Sequence, residues 1–108
     1  MKYLSRNDEM LLLSILRLKD DAYGVTIRQD VLERTGKKLT FGALWVSLDN
    51  LAKKGYVVKT LADPTPTRGG RGKIYYRLTS DGMRALQQVR DLQHALWAGI
   101  PQLSLGTS

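Results

Sequence analysis

The sequence TFGALWVSLDNLAKKG, Thr40–Gly55, has the pattern of one amphipathic helix. Thr40 can cap its first turn, because a threonine hydroxyl accepts a backbone N–H that the turn leaves unpaired. Gly55 follows its last turn, where a left-handed backbone is common. Apolar residues recur at the spacing i, i+4, i+7 and predict a buried stripe on one face. This stripe consists of Leu44, Leu48 and Leu51.

The opposite face of this helix is unusual for a solvent-exposed surface. At about 100° per residue it carries Gly42, Val46, Asp49, Asn50 and Lys53, with Ala43 beside them. Its first turn has small residues at positions where Lys or Glu would make a solvent-exposed helix more soluble. Small residues let a backbone approach another molecule, and the major groove of DNA admits a helix. An ordinary surface helix is the alternative, but the flanking residues favour the groove.

The positive charge of the chain is concentrated in its middle segment. The formal net charge of the whole chain is +7. Residues 37–77 contain nine Lys and Arg residues and two Asp residues, so this segment accounts for the entire excess. Such segregation favours a polyanionic partner.

Two helices are predicted before this one. The first covers Ser5–Leu18, and its apolar residues extend almost all the way round, so it must be buried on more than one side. The second runs from Tyr23 to about Thr35, and Gly36 is its stop signal. Helix, helix, short connection and helix is the order of a helix-turn-helix domain.

The third predicted helix is followed by a β-hairpin. Apolar and polar residues alternate in two segments that are rich in β-branched or aromatic side chains, which predicts two strands. These segments are Tyr56–Leu61 and Lys73–Leu78. Pro and Gly make residues 63–72, DPTPTRGGRG, a loop. This loop has two interpretations. It is either a plain flexible loop or an arm in which Arg68 and Arg71 donate to phosphate. We prefer the arm, because the loop follows a helix that is expected to enter the groove. Its GGRG lacks the spacing of a nucleotide-binding loop.

The last predicted helix begins at Asp81 or Gly82, with Thr79 as its cap, and ends at about Gly99. Its apolar residues cover an arc of roughly 180°, more than contact with one small domain requires. Together with the apolar first helix, this arc predicts a homodimer. The expected interface consists of Leu12, Leu13, Leu16, Leu86, Val89, Leu92, Leu96 and Trp97.

Three blocks of sequence resemble the PadR family of bacterial transcriptional regulators. They are Tyr23-Gly24, GALWVSLDNLAKKGYV at residues 42–57 and RGKIYYRLTSDG at residues 71–82. The family pattern is similar to G-x-L-Y-P-x-L-x-x-L-x-x-x-G-L-[VI], then a basic Gly-rich wing, then Y-Y-x-L-T-x-x-G, and the resemblance covers about residues 8–90. Trp45-Val46 replaces the usual Tyr-Pro, so the hydroxyl that could reach a phosphate is missing, and Tyr56 replaces an aliphatic residue.

The resemblance agrees with the predicted fold, which is mainly α with a two-stranded β-wing: a winged helix-turn-helix plus a C-terminal dimerisation helix. It implies that this helix packs on the partner's N-terminal helix, as in the small subtype of the family. It also implies a homodimeric repressor that a small-molecule or stress signal releases from its own or neighbouring promoters. The expected organisation is a DNA-binding domain over residues 1–80, a dimerisation helix over 81–101 and a flexible tail over 102–108.

The predicted function is sequence-specific binding to an inverted-repeat operator in double-stranded DNA. Asn50 is the best candidate for a base contact, because its amide matches the edge of adenine. Asp49 lies on the same face, and Lys53 is expected to offset its charge. A winged-helix module for protein or RNA, and an architectural protein that coats DNA without sequence choice, are the alternatives. The predicted DNA contacts are Lys37, Lys38, Thr40, Gly42, Ala43, Val46, Ser47, Asn50, Lys53, Arg68, Arg71 and Lys73.

Trp97 has two interpretations. We prefer an apolar anchor in the dimer interface, where Trp is enriched. The alternative is the wall of an effector site, since resemblance to the small PadR-type proteins implies a flat aromatic molecule held between aromatic side chains at the dimer centre.

Several classes of function are not expected. The chain of 108 residues contains no Cys, which excludes a disulfide framework and a thiolate metal site. Its one histidine, His94, falls on the polar flank of the last helix without a partner for metal binding or acid–base chemistry, so neither an enzyme, a cofactor nor a metal is expected. The absence of a membrane-spanning run and of a signal peptide predicts a cytoplasmic protein.

Overall fold

The computed structural model describes residues 2–62 and 73–103. These residues form the winged helix-turn-helix that the sequence predicts. Arg68 and Arg71, together with residues 104–108 of the predicted tail, lie outside the described residues. The elements in chain order are α1 (Arg6–Leu18), a short 3₁₀ turn (Lys19–Asp21), α2 (Gly24–Thr35), α3 (Phe41–Lys53), β1 (Val57–Leu61), β2 (Ile74–Leu78) and α4 (Ser80–Trp97).

Local capping determines where the helices begin and end. The hydroxyls of Ser5, Thr40 and Thr79 each accept the backbone N–H of the residue three positions later, at 3.0–3.1 Å. Gly36 and Gly55 follow α2 and α3 with φ angles of 75° and 81°, a conformation that residues with a Cβ avoid. These five positions confirm the helix boundaries expected from the sequence.

The core lies between α1, α2, α3 and the base of the hairpin. The predicted stripe of α3 is its centre, because all three of its leucines are no more than 1% exposed. The cluster of buried residues consists of Leu11, Leu12, Ile15, Ala22, Ile27, Val31, Leu39, Leu44, Leu48, Leu51, Val57 and Tyr76.

Two residues of the predicted dimer interface belong to the interior of a single chain. Leu12 is 0% exposed and Val89 is 4% exposed. Leu12 packs in the core and Val89 lies on the inner side of α4, so neither has surface left for a partner. Including them in the interface was wrong, because an apolar arc on a helix wheel does not show which part of it the chain itself covers.

The hairpin is an antiparallel pair whose register runs from Val57 opposite Leu78 to Leu61 opposite Ile74. It is attached to the link between the 3₁₀ turn and α2 by a backbone hydrogen bond, in which the Tyr76 N–H donates to the Ala22 carbonyl at 2.9 Å. The base of the wing is thereby fixed at the start of α2.

The start of α4 is attached to the end of α3. The Thr79 hydroxyl donates to the Gly55 carbonyl at 2.6 Å, and the Thr79 N–H donates to the Tyr56 carbonyl at 3.0 Å. Gly82 allows this close approach, since a Cβ at that position would overlap the Tyr56 carbonyl oxygen.

Within residues 2–62 and 73–103, no helix is long and apolar enough to cross a bilayer.

Candidate nucleic-acid interface

The outer face of α3 is an exposed row of Gly42, Val46, Asn50 and Lys53, which we call the outer row. At about 100° per residue these four positions lie within roughly 40° of Val46. Ala43 is exposed beside them, at the N-terminal end of the helix. The structure therefore brings together the small, apolar and amide side chains that the sequence assigned to one surface.

One edge of the outer row is flanked by α1. The Asn7 amide Nδ2 donates to the Ser47 hydroxyl at 3.3 Å, and the Lys54 ammonium lies 3.4 Å from an Asp8 carboxylate oxygen. Ser47 is half-buried and turned toward α1, although its hydroxyl hydrogen remains a donor. The N-terminus of α1 thus lies beside the candidate interface.

The other edge is flanked by the wing. Asp49 forms an ion pair with Lys59 of β1. The hydrogen bond from Lys59 is the main cause that holds the pKa of the Asp49 carboxyl below its ordinary value, and it raises the pKa of the Lys59 ammonium. Lys53, which the sequence led us to expect would offset this charge, also lowers the pKa of Asp49, but its effect is smaller than that of Lys59, which the antiparallel hairpin brings to the carboxylate.

Cations at both ends of α3 remain outside ion pairs. Within the described part of the chain, the Lys and Arg residues paired with carboxylates do not include Lys37, Lys38 or Lys53. All three side chains are exposed. The Thr40 hydroxyl accepts the Ala43 N–H, which leaves its hydrogen available to a phosphate or a base.

Two large apolar side chains of α3 have neighbours within the chain. The Trp45 ring lies over the start of α2, where a Cβ on Gly24 would be 3.2 Å from its Cη2. The Arg28 guanidinium lies 4.8 Å from the centroid of the Phe41 ring, and its Nε donates to the Leu39 carbonyl at 2.6 Å. Both aromatic rings are still 43% exposed.

Lys73 lies at the base of the wing beside two tyrosines. Its ammonium is 4.4 Å from the Tyr23 ring centroid and 3.4 Å from the Tyr23 hydroxyl. The Tyr23 and Tyr75 rings meet edge to face at 5.4 Å. The predicted phosphate contact therefore stands at the junction of α2 and the wing, with its ammonium exposed over an aromatic surface.

Sequence reasoning missed the residues of neighbouring elements that contact α3 beside the outer row. Asn7, Lys59 and Gly24 are far from α3 in the sequence, and no periodicity connects them to it. The sequence singles out only the Tyr23-Gly24 pair, as part of a family resemblance. Its physical reason is now clear, since a side chain larger than hydrogen would press on Trp45.

The remaining candidate dimer surface lies on α1 and α4. Leu13 is 38% exposed, Leu16 44% and Leu96 61%, and Trp97 near the end of α4 is 53% exposed. A groove of about 350 Å³ separates the two helices. Its lining residues are Glu9, Leu13, Leu16, Met83, Leu86, Gln87, Arg90, Gln93 and His94. Leu86 and Leu92 are half-buried in the single chain.

Residues 12–88 match the transcriptional regulator PadR-like family. A PadR family transcription regulator from hypervirulent Clostridium difficile is 28% identical, with a TM-score of 0.63 over 82% of this chain and 88% of that chain. The RosR protein of H. salinarum is 24% identical, with a TM-score of 0.71 over 91% of this chain and 81% of that chain.

A winged-helix DNA-binding protein from STIV shares 19% identity, with a TM-score of 0.68 over 91% of this chain and 98% of that chain. At this identity the likeness shows the fold. A comparison with curated proteins found no match. Because the family match extends from α1 through the wing into α4, the chain belongs to the PadR-like family of transcriptional regulators.

Proposed function

We propose that this protein is a homodimeric repressor that binds an inverted-repeat operator in double-stranded DNA. A small-molecule or stress signal causes it to dissociate from the operator. Membership in a family of transcriptional regulators supports the general role. The observation that carries the proposal is the outer row of α3, an exposed surface in which a glycine and a valine precede an amide and a lysine.

Gly42 supports insertion of α3 into a groove. A Cβ added there would meet nothing within 4 Å, so the chain itself does not require a glycine. In contrast, Trp45 restricts Gly24 and the Tyr56 carbonyl restricts Gly82. Glycine in the middle of a helix costs about 0.5–1 kcal/mol relative to alanine, and Gly42, the second residue of α3, bears part of this cost. Close approach to an external surface, such as base edges, is a use that offsets this cost.

Cations that pair with no carboxylate among the described residues support contact with phosphate. Lys37 and Lys38 precede α3, and Lys53 ends it, so they flank a helix that enters the groove. Lys73 extends this positive surface to the base of the wing, and we propose that Arg68 and Arg71, which lie between the two strands in the sequence, also donate to phosphate. Such contacts position the protein, whereas Asn50 in the outer row is placed to recognise a base.

The exposed leucines of α1 and α4 support dimerisation. Leu13 and Leu16 line the groove between these helices, and Leu96 is exposed near the end of α4; a second copy of α4 would cover them. A symmetric dimer presents two copies of α3, which matches an inverted repeat with half-sites about one helical turn apart.

The proposed signal acts where the two chains meet. Trp97 is exposed near the end of α4, and two copies of it in a dimer would form an apolar wall for a flat aromatic molecule. Titration of a planar aromatic compound should then quench Trp97 fluorescence and lower affinity for DNA. A Trp97→Phe variant, which keeps Trp45, identifies the emitting residue. Unchanged DNA affinity would exclude this effector class.

Duplex selection tests the proposal. The purified protein is incubated with a pool of duplexes that have a randomised centre, and the bound fraction is sequenced. We expect an enriched inverted repeat, and footprinting on the DNA upstream of the protein's own gene should protect a related site. Equal affinity for all duplexes would favour an architectural protein. Binding to RNA or protein without duplex binding would favour the other alternative.

A further inference from the structure

The outer row contains an apolar side chain whose exposure the fold does not explain. Val46 is 63% exposed, compared with 43% for Phe41 and Trp45 on the same helix. The two aromatic rings contact Arg28 and the start of α2 respectively. Val46 instead stands in the middle of the outer row, one turn from Gly42 and one turn from Asn50.

We propose that Val46 recognises the C5-methyl group of a thymine in each operator half-site. This inference rests on the proposed function, since it requires α3 to enter the major groove. The thymine methyl is the only apolar group that a base edge displays there, and an apolar side chain is its natural contact. A valine offers two methyl groups on a stiff side chain, so little rotational freedom is lost on contact.

The neighbours of Val46 give the contact its geometry. Gly42, one turn earlier, lets the helix backbone approach the bases without an intervening side chain. Asn50, one turn later, is placed for an adenine edge. Positions one turn apart on a helix are about 5–6 Å apart, which is less than two base-pair steps. The outer row therefore fits adjacent A·T pairs, with a methyl contact at one and an amide contact at the other.

The polar flanks of the outer row leave Val46 as its apolar centre. Asp49 is occupied by Lys59 on the wing side, and Ser47 faces Asn7 on the α1 side. Exchange of thymine for cytosine opposite Val46 would replace a methyl group with a hydrogen and alter the polar edge as well. A specific test must therefore remove the methyl group alone.

Deoxyuridine provides that test, because it differs from thymidine only by the C5-methyl group. A duplex selected by the wild-type protein is synthesised with each thymine in turn replaced by deoxyuridine, in both half-sites together. Affinities are measured by fluorescence anisotropy. We expect one position at which replacement weakens binding by about fourfold per half-site, the effect of one buried methyl group.

The variant Val46→Ser removes both valine methyl groups and should bind the thymine and deoxyuridine duplexes equally well. Val25→Ser is the matched control, because Val25 is a helical valine that is 56% exposed on α2. It should retain the deoxyuridine penalty at the same position. Both valines are exposed, so thermal unfolding of the two variants should match that of the wild type.

Three results would overturn the inference. If no thymine is sensitive to deoxyuridine, or if the penalty persists in Val46→Ser, Val46 does not recognise a methyl group, while the enriched operator still supports the proposed function. If selection with the wild-type protein enriches no duplex, the proposed function fails and the inference fails with it.

Discussion

The two faces of α3 show how one short helix can serve two purposes. Its inner face, Leu44, Leu48 and Leu51, is at most 1% exposed and joins the core. Its outer row does not join the core, and Lys53 is the one charged residue among its four positions. The inner face is determined by the stability of the fold, whereas the outer row is explained only by something outside the chain. Substitutions on the two faces should therefore have separate effects.

The largest effect is expected on the inner face. Leu48→Ala should lower the free energy of unfolding by about 2–5 kcal/mol, because it leaves a cavity at a side chain that is 0% exposed. Val46→Ala, on the opposite face, should change it by about 0.5 kcal/mol or less. Urea unfolding of both variants measures the difference. Equal losses would mean that Val46 also packs in the fold.

The next effect concerns an exposed apolar surface that another copy of the chain would cover. Leu96→Glu should leave the fold intact but raise the dimer dissociation constant about 100-fold, because the carboxylate would be buried without a partner. Sedimentation measures this change. Leu61→Glu is the control, since Leu61 is 67% exposed on the wing. A wild-type monomer at micromolar concentration would remove the basis of this prediction.

Within the outer row, base and phosphate contacts should be separable. Asn50→Ala should weaken binding to the selected duplex by about 10-fold and affect random duplex little, because an Asn–adenine pair acts on one sequence. Lys53→Ala should weaken both and lower the salt-dependence slope by about one unit. Titrations of each variant with both duplexes at several salt concentrations measure these two effects. If Asn50→Ala keeps the wild-type preference at every base pair, the first turn of α3 must supply the base contacts.

A smaller effect is expected at Gly42. Gly42→Ala should raise the free energy of unfolding by about 0.5 kcal/mol, since the helix gains a better helix former and the added Cβ has room. The same substitution should weaken DNA binding if the backbone approaches the bases. Gly82→Ala provides the contrast, because its Cβ would collide with the Tyr56 carbonyl. Stability and affinity are measured on the same samples, and unchanged affinity in Gly42→Ala would place Gly42 away from DNA.

The smallest effect is expected at the α1–α2 junction. Arg17 donates to the Asp30 carboxylate through two nitrogens and is the main cause of its lowered pKa, and Arg34 adds a weaker bond. Because the pKa of Asp30 is lower in the folded state than its ordinary value of 3.8, ionised Asp30 stabilises the fold at pH values above 3.8. This stabilisation is lost as the pH falls through the lowered pKa. The unfolding free energies of wild type and Asp30→Asn should therefore converge in acid. If the free energies of unfolding of the two proteins differ by the same amount at all pH values, ionisation of Asp30 does not contribute to stability.

The more exposed Asp49 serves as the control for Asp30. The Asp49 side chain is 50% exposed, whereas that of Asp30 is 14% exposed. Solvent screens the Asp49–Lys59 pair, so Asp49→Asn should alter the pH profile of stability less than Asp30→Asn does. Its effect should instead be seen in DNA binding, since the pair joins α3 to the wing.

The sequence by itself determined the local structure of this protein. The caps Ser5, Thr40 and Thr79 and the glycines Gly36 and Gly55 act within one turn of their own helix, so their roles could be predicted from neighbouring residues. The period of the leucines in α3 likewise decides which face is buried, and with it which face remains outside. The winged fold and the exposed outer row follow from such local patterns.

Tertiary structure decided the partners of each side chain and which apolar surfaces remain free. Asp49 pairs with Lys59 and not Lys53, and Trp45 covers Gly24, because the hairpin and α2 are brought to α3 by packing across the chain. Periodicity could not separate Val89, which the domain covers, from Leu96, which lies two turns further along α4 and is exposed. A helix wheel records direction around one axis, whereas contact depends on where the neighbouring elements end.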